Sequence, residues 1–232
     1  MRILLFLSIL FLSTCNNQQD VDPPETDSVK QQACSYLALG DSYTIGQSVD
    51  VNERWPIQLA NRLRADSIDL LDPDIIARTG WTTDELISAI DASSEKDSLY
   101  DVVSLLIGVN NQFRGYPLDQ YKTELPQLLN TAIDLANGKP ERVFMLSIPD
   151  YGLTPFGQGR NPERIAAELD IYNVVADSIC QSFRVAFYDI TEVSREFGLD
   201  PEYVASDNLH PSGKMYEAWV EEVYDRVKGL VR

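Results

Sequence analysis

The chain has 232 residues, enough for one domain with a sizeable buried core. It carries 36 acidic against 19 basic residues, a formal charge of −17, and 44% of its residues are hydrophobic. A surface that negative repels phosphate backbones and anionic bilayers, which argues against nucleic acid partners and against membrane docking through protein charge.

The N-terminus differs from the rest. Arg2 precedes the apolar run Ile3 to Leu12, the short positive start and hydrophobic centre of a secretory signal. The run is too short for a spanning helix, which needs roughly 20 residues. It ends in Leu12-Ser13-Thr14-Cys15, which resembles a bacterial lipobox, where cleavage precedes an acylated cysteine. Asn16 to Gln32 is polar, with Pro23-Pro24 and no apolar period, and reads as a flexible tether. The expected organisation is a signal peptide over 1–14, a tether anchored by lipid at Cys15 over 15–32, and a folded domain over 33–232. The expected location is that of an exported bacterial lipoprotein on the periplasmic or cell-surface side, touching the membrane only through the N-terminal lipid.

From Ala33 onward, short apolar runs alternate with longer amphipathic stretches. Tyr36 to Leu39 predicts a buried strand, and Ile57 to Leu63, after Trp55-Pro56, a helix with proline at its start. Trp55 reads as core. Ile75 to Ala77 predicts a short strand. Thr83 to Ile90 predicts a helix capped by Thr82 or Thr83. Val102 to Ile107 is apolar almost throughout and is the clearest strand. Leu118 to Asn137 predicts a helix, with Gly138 placed to end it. A strand over Val143 to Ile148, a helix over Pro162 to Gln181, a strand over Val185 to Ile190 and a helix over Ser212 to Val231 complete the series. Such alternation, with nearly continuous apolar strands, implies a mostly parallel five-stranded sheet covered by helices on both faces. Sites in such sheets form at the carboxyl ends of the strands.

Candidate chemistry collects at those ends. The first strand runs into Gly40-Asp41-Ser42, so Ser42 sits on a turn at a strand end, where a hydroxyl needs a base to become a nucleophile. Alone, Gly-Asp-Ser is an ordinary strand-ending turn. The single histidine, His210, lies in Asp207-Asn208-Leu209-His210, after the last strand and before the last helix. An acid three residues before a histidine can reach back to its imidazole through a tight turn, fixing the tautomer and stabilising the imidazolium. Acyl transfer also needs oxyanion donors. Gly80, after the second strand, offers a backbone N–H, and Asn110, after the third, offers a side-chain amide. Each is also an ordinary turn residue.

These four blocks, in this order, resemble the SGNH or GDSL-type hydrolase superfamily over nearly the whole chain from Ala33. The resemblance implies a flavodoxin-like three-layer α/β/α sandwich. It implies Ser42, Asp207 and His210 as a triad, with the Ser42 N–H, the Gly80 N–H and the Asn110 amide as the oxyanion hole. It further implies hydrolysis of carboxylic esters of lipids, acylated sugars or short acyl groups, without metal or other cofactor. The same residues would serve an acyltransferase, and a non-catalytic lipid-anchored binding module is the reading from another class. The family often has aspartate where this chain has Asn111, which leaves the local loop geometry open. The Gly-x-Ser-x-Gly elbow of the other large class of α/β ester hydrolases is absent.

Aromatic residues cluster after the predicted strand ends. Tyr43, Trp81, Phe113 and Tyr151 are the candidates to line a substrate groove, with Tyr116 and Phe156 nearby. Arg114 and Arg160 read as solvated surface residues in preference to contacts for an anionic group. The glycine-rich stretch Asp150 to Gly157 reads as a mobile loop beside the site. Cys34 and Cys180 are as compatible with separate thiols as with a disulfide. Neither has neighbours at metal-ligand spacing, so no structural zinc is expected.

Overall fold

The computed structural model describes residues 33–231. The expected signal peptide, Cys15 and the tether lie outside the described residues. Five strands form one sheet: β1 (Tyr36–Gly40), β2 (Asp74–Ala77), β3 (Val102–Leu106), β4 (Val143–Leu146) and β5 (Ala186–Tyr188). Every pairing is parallel and the order is β2-β1-β3-β4-β5. This is the flavodoxin-like order, with a switch in winding direction between β1 and β3. Strands β1, β3 and β4 are buried at every residue, which is why they read as unbroken apolar runs, whereas the edge strand β2 is partly exposed.

Nine helices accompany the strands among the described residues: α1 (Ser42–Ile45), α2 (Trp55–Ala65), α3 (Thr83–Ala92), α4 (Val109–Phe113), α5 (Leu118–Leu135), α6 (Pro155–Gln158), α7 (Pro162–Phe183), α8 (Thr191–Phe197) and α9 (Gly213–Leu230). Parallel connections are right-handed. The β1-to-β2 crossover therefore puts α2 on one face, where it packs with α9. The crossovers running the other way put α3, α5 and α7 on the opposite face, packed in that order. Leu59, Leu63, Trp219 and Val223 of the first pair are buried, as are Leu86, Leu125, Leu129 and Leu169 of the second group. Trp55 opens α2 and is fully buried against Phe144. The helix over 83–92 is capped by Thr82 in a reciprocal box with Glu85.

The register brings the site together. Gly40 is level with Ala77 of β2 and with Leu106 of β3. The segments that follow these three strands therefore leave the sheet along one edge. Cys34 and Cys180 are separate free thiols, and burial pushes the Cys180 thiol up to about 12. Among the described residues no helix is long and apolar enough to cross a membrane.

Candidate active site

Ser42 is the first residue of α1, directly beyond the turn that leaves β1. The turn requires Gly40. A Cβ there would lie 2.2 Å from Thr44 Oγ1 and 2.5 Å from the Leu106 carbonyl, so any larger residue would push the turn off the neighbouring strand. Asp41 caps α1, its Oδ1 accepting the Tyr43 N–H at 3.0 Å. Asp41 is wholly buried and its Oδ2 has no partner among the described residues. Burial pushes its carboxyl up to about 7, against the pull of the Tyr43 N–H. Among the described residues the Ser42 N–H has no acceptor, and neither has the Gly80 N–H. Two free donors thus stand at the strand edge.

Gly80 has φ +89°, in the region that favours glycine. Its turn is held from outside. Arg114 donates to the Gly80 carbonyl at 2.5 Å and pairs with Glu85 at 3.3 Å. Asn110, in the first turn of α4, donates one amide N–H to the Trp81 carbonyl at 2.9 Å, which fixes the amide and leaves its second N–H. The neighbouring Asn111 is buried and pins α4 to the start of α3. It accepts the Thr83 N–H at 3.1 Å and donates to Thr83 Oγ1 at 2.7 Å. An uncharged amide does both jobs in this loop, so Asn111 fits where the family often has aspartate.

The Asp207–His210 turn closes on itself. Asp207 Oδ1 accepts the backbone N–H groups of Leu209 and His210, each at 2.9 Å, and Asn208 takes φ +65° to make the bend. Asp207 Oδ2 lies 2.7 Å from His210 Nδ1. The same oxygen accepts a 2.6 Å hydrogen bond from Ser48 Oγ, and Ser48 itself is held at φ +67°. Burial opposes the Asp207 charge, but the hydrogen bonds from Ser48, the two backbone groups and His210 outweigh it and bring the carboxyl down to about 2. Ser48 is joined through Gln47 to Thr79, one residue before Gly80: Gln47 Nε2 donates to Ser48 Oγ at 3.5 Å and Thr79 Oγ1 donates to Gln47 Oε1 at 2.5 Å.

Ser42, Gly80, Asn110 and His210 line one cleft of about 130 Å³, together with Tyr43, Thr79, Val109, Phe113, Tyr151 and Leu209. Ser42 and His210 share this cleft without a hydrogen bond between their side chains. Tyr43 is buried and sets its ring edge-on to the His210 imidazole, with centroids 5.9 Å apart. Of the four aromatic candidates, Tyr43, Phe113 and Tyr151 line the cleft. Trp81 does not: its indole packs against the core and its carbonyl holds Asn110.

The glycine-rich stretch from Asp150 is a folded turn over Tyr151–Leu153 followed by α6. A Cβ on Gly157 would meet the Tyr151 carbonyl at 2.0 Å, so its glycine serves close packing. The Phe156 N–H donates to the Asn208 carbonyl at 3.0 Å, tying this segment to the turn that carries His210. Ser48 escaped sequence reading altogether, because nothing local marks a serine that meets an acid 159 positions away.

The chain and its fold have counterparts among known proteins. The model of the GDSL-like lipase/acylhydrolase family matches residues 38–218. The chain belongs to this family. Membership places it among the carboxylic ester hydrolases. TesA superposes with a TM-score of 0.67 at 18% identity, covering 84% of this chain and 99% of that one. The psychrotrophic esterase EstA from Pseudoalteromonas sp. gives 0.65 at 19% identity over 84% of this chain and 97% of its own. A variant of Axe2, an acetyl xylan esterase from Geobacillus stearothermophilus, gives 0.63 at 20% identity over 85% and 95%. At these identities the likeness establishes the fold. No curated protein matches the chain by sequence. Among the described residues no cluster of side chains is arranged to hold a metal ion.

Proposed function

We propose that the protein cleaves carboxylic esters through an acyl-enzyme on Ser42. His210 removes the Ser42 proton as the hydroxyl attacks the ester carbonyl, and Asp207 stabilises the imidazolium that results. The tetrahedral oxyanion takes hydrogen bonds from the Ser42 N–H, the Gly80 N–H and the remaining Asn110 amide hydrogen. His210 then passes the proton to the departing alcohol. Water, activated by the same imidazole, attacks the acyl carbonyl and frees Ser42. The observation that carries this reading is the convergence of Ser42, two acceptor-free N–H groups, Asn110 and the Asp207-linked His210 on one cleft. Ser48 acts beside them as a positioning residue, holding the Asp207 oxygen that faces the imidazole.

Ser42→Ala is expected to abolish turnover of a short activated ester and labelling by a fluorophosphonate probe, while the circular dichroism spectrum and melting temperature stay those of the wild type. Undiminished turnover or labelling in that variant removes Ser42 from its role. The lipobox-like Leu12-Ser13-Thr14-Cys15 supports an exported protein anchored by lipid at Cys15, and the domain beginning near residue 33 would then work at a membrane surface without entering it.

A further inference from the structure

The catalytic cleft does not end at its own wall. Phe113 and Tyr151 also line a larger groove of about 540 Å³ beside it, so the two spaces share a boundary of aromatic rings. Three arginines and one glutamate line that groove, an excess of positive charge in a chain whose formal charge is −17.

The three arginines are in different situations. Arg114 is committed to the Gly80 carbonyl and Glu85. Arg164 is paired with Glu168 at 2.6 Å, one turn along α7. Arg160 has no carboxylate within ion-pair distance among the described residues, and its side-chain N–H groups have no protein acceptor there. Its guanidinium carbon instead lies over two rings, 4.5 Å from the centroid of Phe156 and 5.0 Å from that of Phe113. Stacking on aromatic faces holds a guanidinium plane while leaving its N–H edge open, and that edge matches a carboxylate or phosphate bidentately. The aromatic seat is itself anchored, since Phe156 is bonded to the turn carrying His210 and Phe113 ends α4, the helix that begins beside Asn110. An arginine without a carboxylate partner, in a chain with 36 acidic residues, is seated on Phe156 and on Phe113, the second of which also walls the catalytic cleft.

We propose that the protein prefers esters carrying an anionic group away from the scissile bond, and that Arg160 receives this group in the groove beside the catalytic cleft. The inference rests on Ser42 being the nucleophile of the adjoining cleft. Carboxylate and phosphate share the required chemistry.

The test compares aryl acetates that differ in the distal group: para-acetoxybenzoate, para-acetoxyphenyl phosphate and neutral para-acetoxybenzamide. Wild type and Arg160→Gln are measured on each, and the ratio of kcat/KM for an anionic ester to that for the neutral one is followed, so that intrinsic reactivity cancels. Arg160→Gln is expected to lower this ratio roughly tenfold, mainly through KM, as the loss of a charge-assisted hydrogen-bonding partner does. Molar salt should shrink the wild-type ratio and leave that of the variant nearly unchanged. A larger fall for the benzoate identifies a carboxylate-bearing substrate, and a larger fall for the phosphate a phosphorylated one. An unchanged ratio, or an equal loss on all three esters, overturns the proposal. A second measurement needs no turnover: calorimetric binding of para-hydroxybenzoate and para-hydroxyphenyl phosphate to Ser42→Ala, with and without Arg160→Gln. Heats that vanish with Arg160 support the anion site, and heats that persist without it count against it. If Ser42→Ala still turned over the neutral ester, the nucleophile assignment would fall, while the binding heats would still decide for or against the anion site.

Discussion

Ser48→Gly separates the catalytic positioning of Asp207 from the stability of its loop. Asp207 Oδ2 takes two side-chain hydrogen bonds, from His210 Nδ1 at 2.7 Å and from Ser48 Oγ at 2.6 Å. Glycine removes the second and leaves the first. A hydrogen bond to a charged group is worth about 1.5–3 kcal/mol, and because water can partly replace an exposed hydroxyl we take about 1–1.5 kcal/mol here. That corresponds to a roughly 5- to 13-fold fall in kcat if it acts on the transition state. The backbone argument has the opposite sign. Ser48 sits at φ +67°, where a non-glycine residue costs about 1–2 kcal/mol, so glycine relieves the folded loop and only part of this is returned as unfolded-state entropy. The expected result is a folded state at least as stable as the wild type to urea, with kcat lowered and KM nearly constant. Ser48→Thr keeps the donor and should recover kcat despite a poorer backbone fit. The Asp207 carboxyl, held near 2 in part by Ser48, should rise in the glycine variant, so its acid inactivation should begin at a higher pH than in the wild type. A low-field proton resonance from the His210 Nδ1–H would broaden as the pair loosens. Full kcat in Ser48→Gly would refute the positioning role.

Gly80→Ala forces a side chain into φ +89°, and should cost about 1–2 kcal/mol in urea denaturation and a larger share of kcat, because the Gly80 N–H moves with its backbone. Asn110→Ala removes both the amide donor and its bond to Trp81, and a fall of about 10²–10³ in kcat is expected in steady-state assays of a short ester. Asp41→Asn tests the buried carboxyl: the folded pKa is raised to about 7 from an ordinary 3.8, so the wild type gains stability from the retained proton at low pH and loses it as pH rises through 7. The amide keeps the acceptor for the Tyr43 N–H without the titration, so the variant should gain about 2–4 kcal/mol relative to wild type between pH 4 and pH 8. A constant difference across that range in paired denaturation curves would mean that Asp41 does not titrate there.

What was legible in the sequence follows from how far each signal had to reach. The parallel sheet was readable because β3 and β4 are buried on both sides and allow almost nothing polar. Helices of three or more turns, such as α5 and α7, were readable from periodicity and from their proline and capping residues. The one-turn helices α1 and α4 were not, because four or five residues cannot display a period of 3.6. Yet these two carry Ser42 and Asn110, so the candidate site is read from motif chemistry at strand ends and not from the elements that hold it. The Asp207–His210 pair was legible for a local reason: its hydrogen bonds span two or three residues and close within one turn. Ser48 and Arg160 are the opposite case. One is a serine in a conformation usually left to glycine or asparagine, and it gains meaning only from an acid brought to it by the last connection of the fold. The other was one of two loop arginines, with Arg114, that read as solvated surface, and nothing in the sequence separates the two. Tertiary structure gives Arg114 and Arg164 carboxylate partners and leaves Arg160 on aromatic rings. On the proposed mechanism, then, the chemistry at the scissile bond is written in short-range motifs. The groups that tune that chemistry, and the one that would select its substrate, depend on which distant loops the sheet edge brings together.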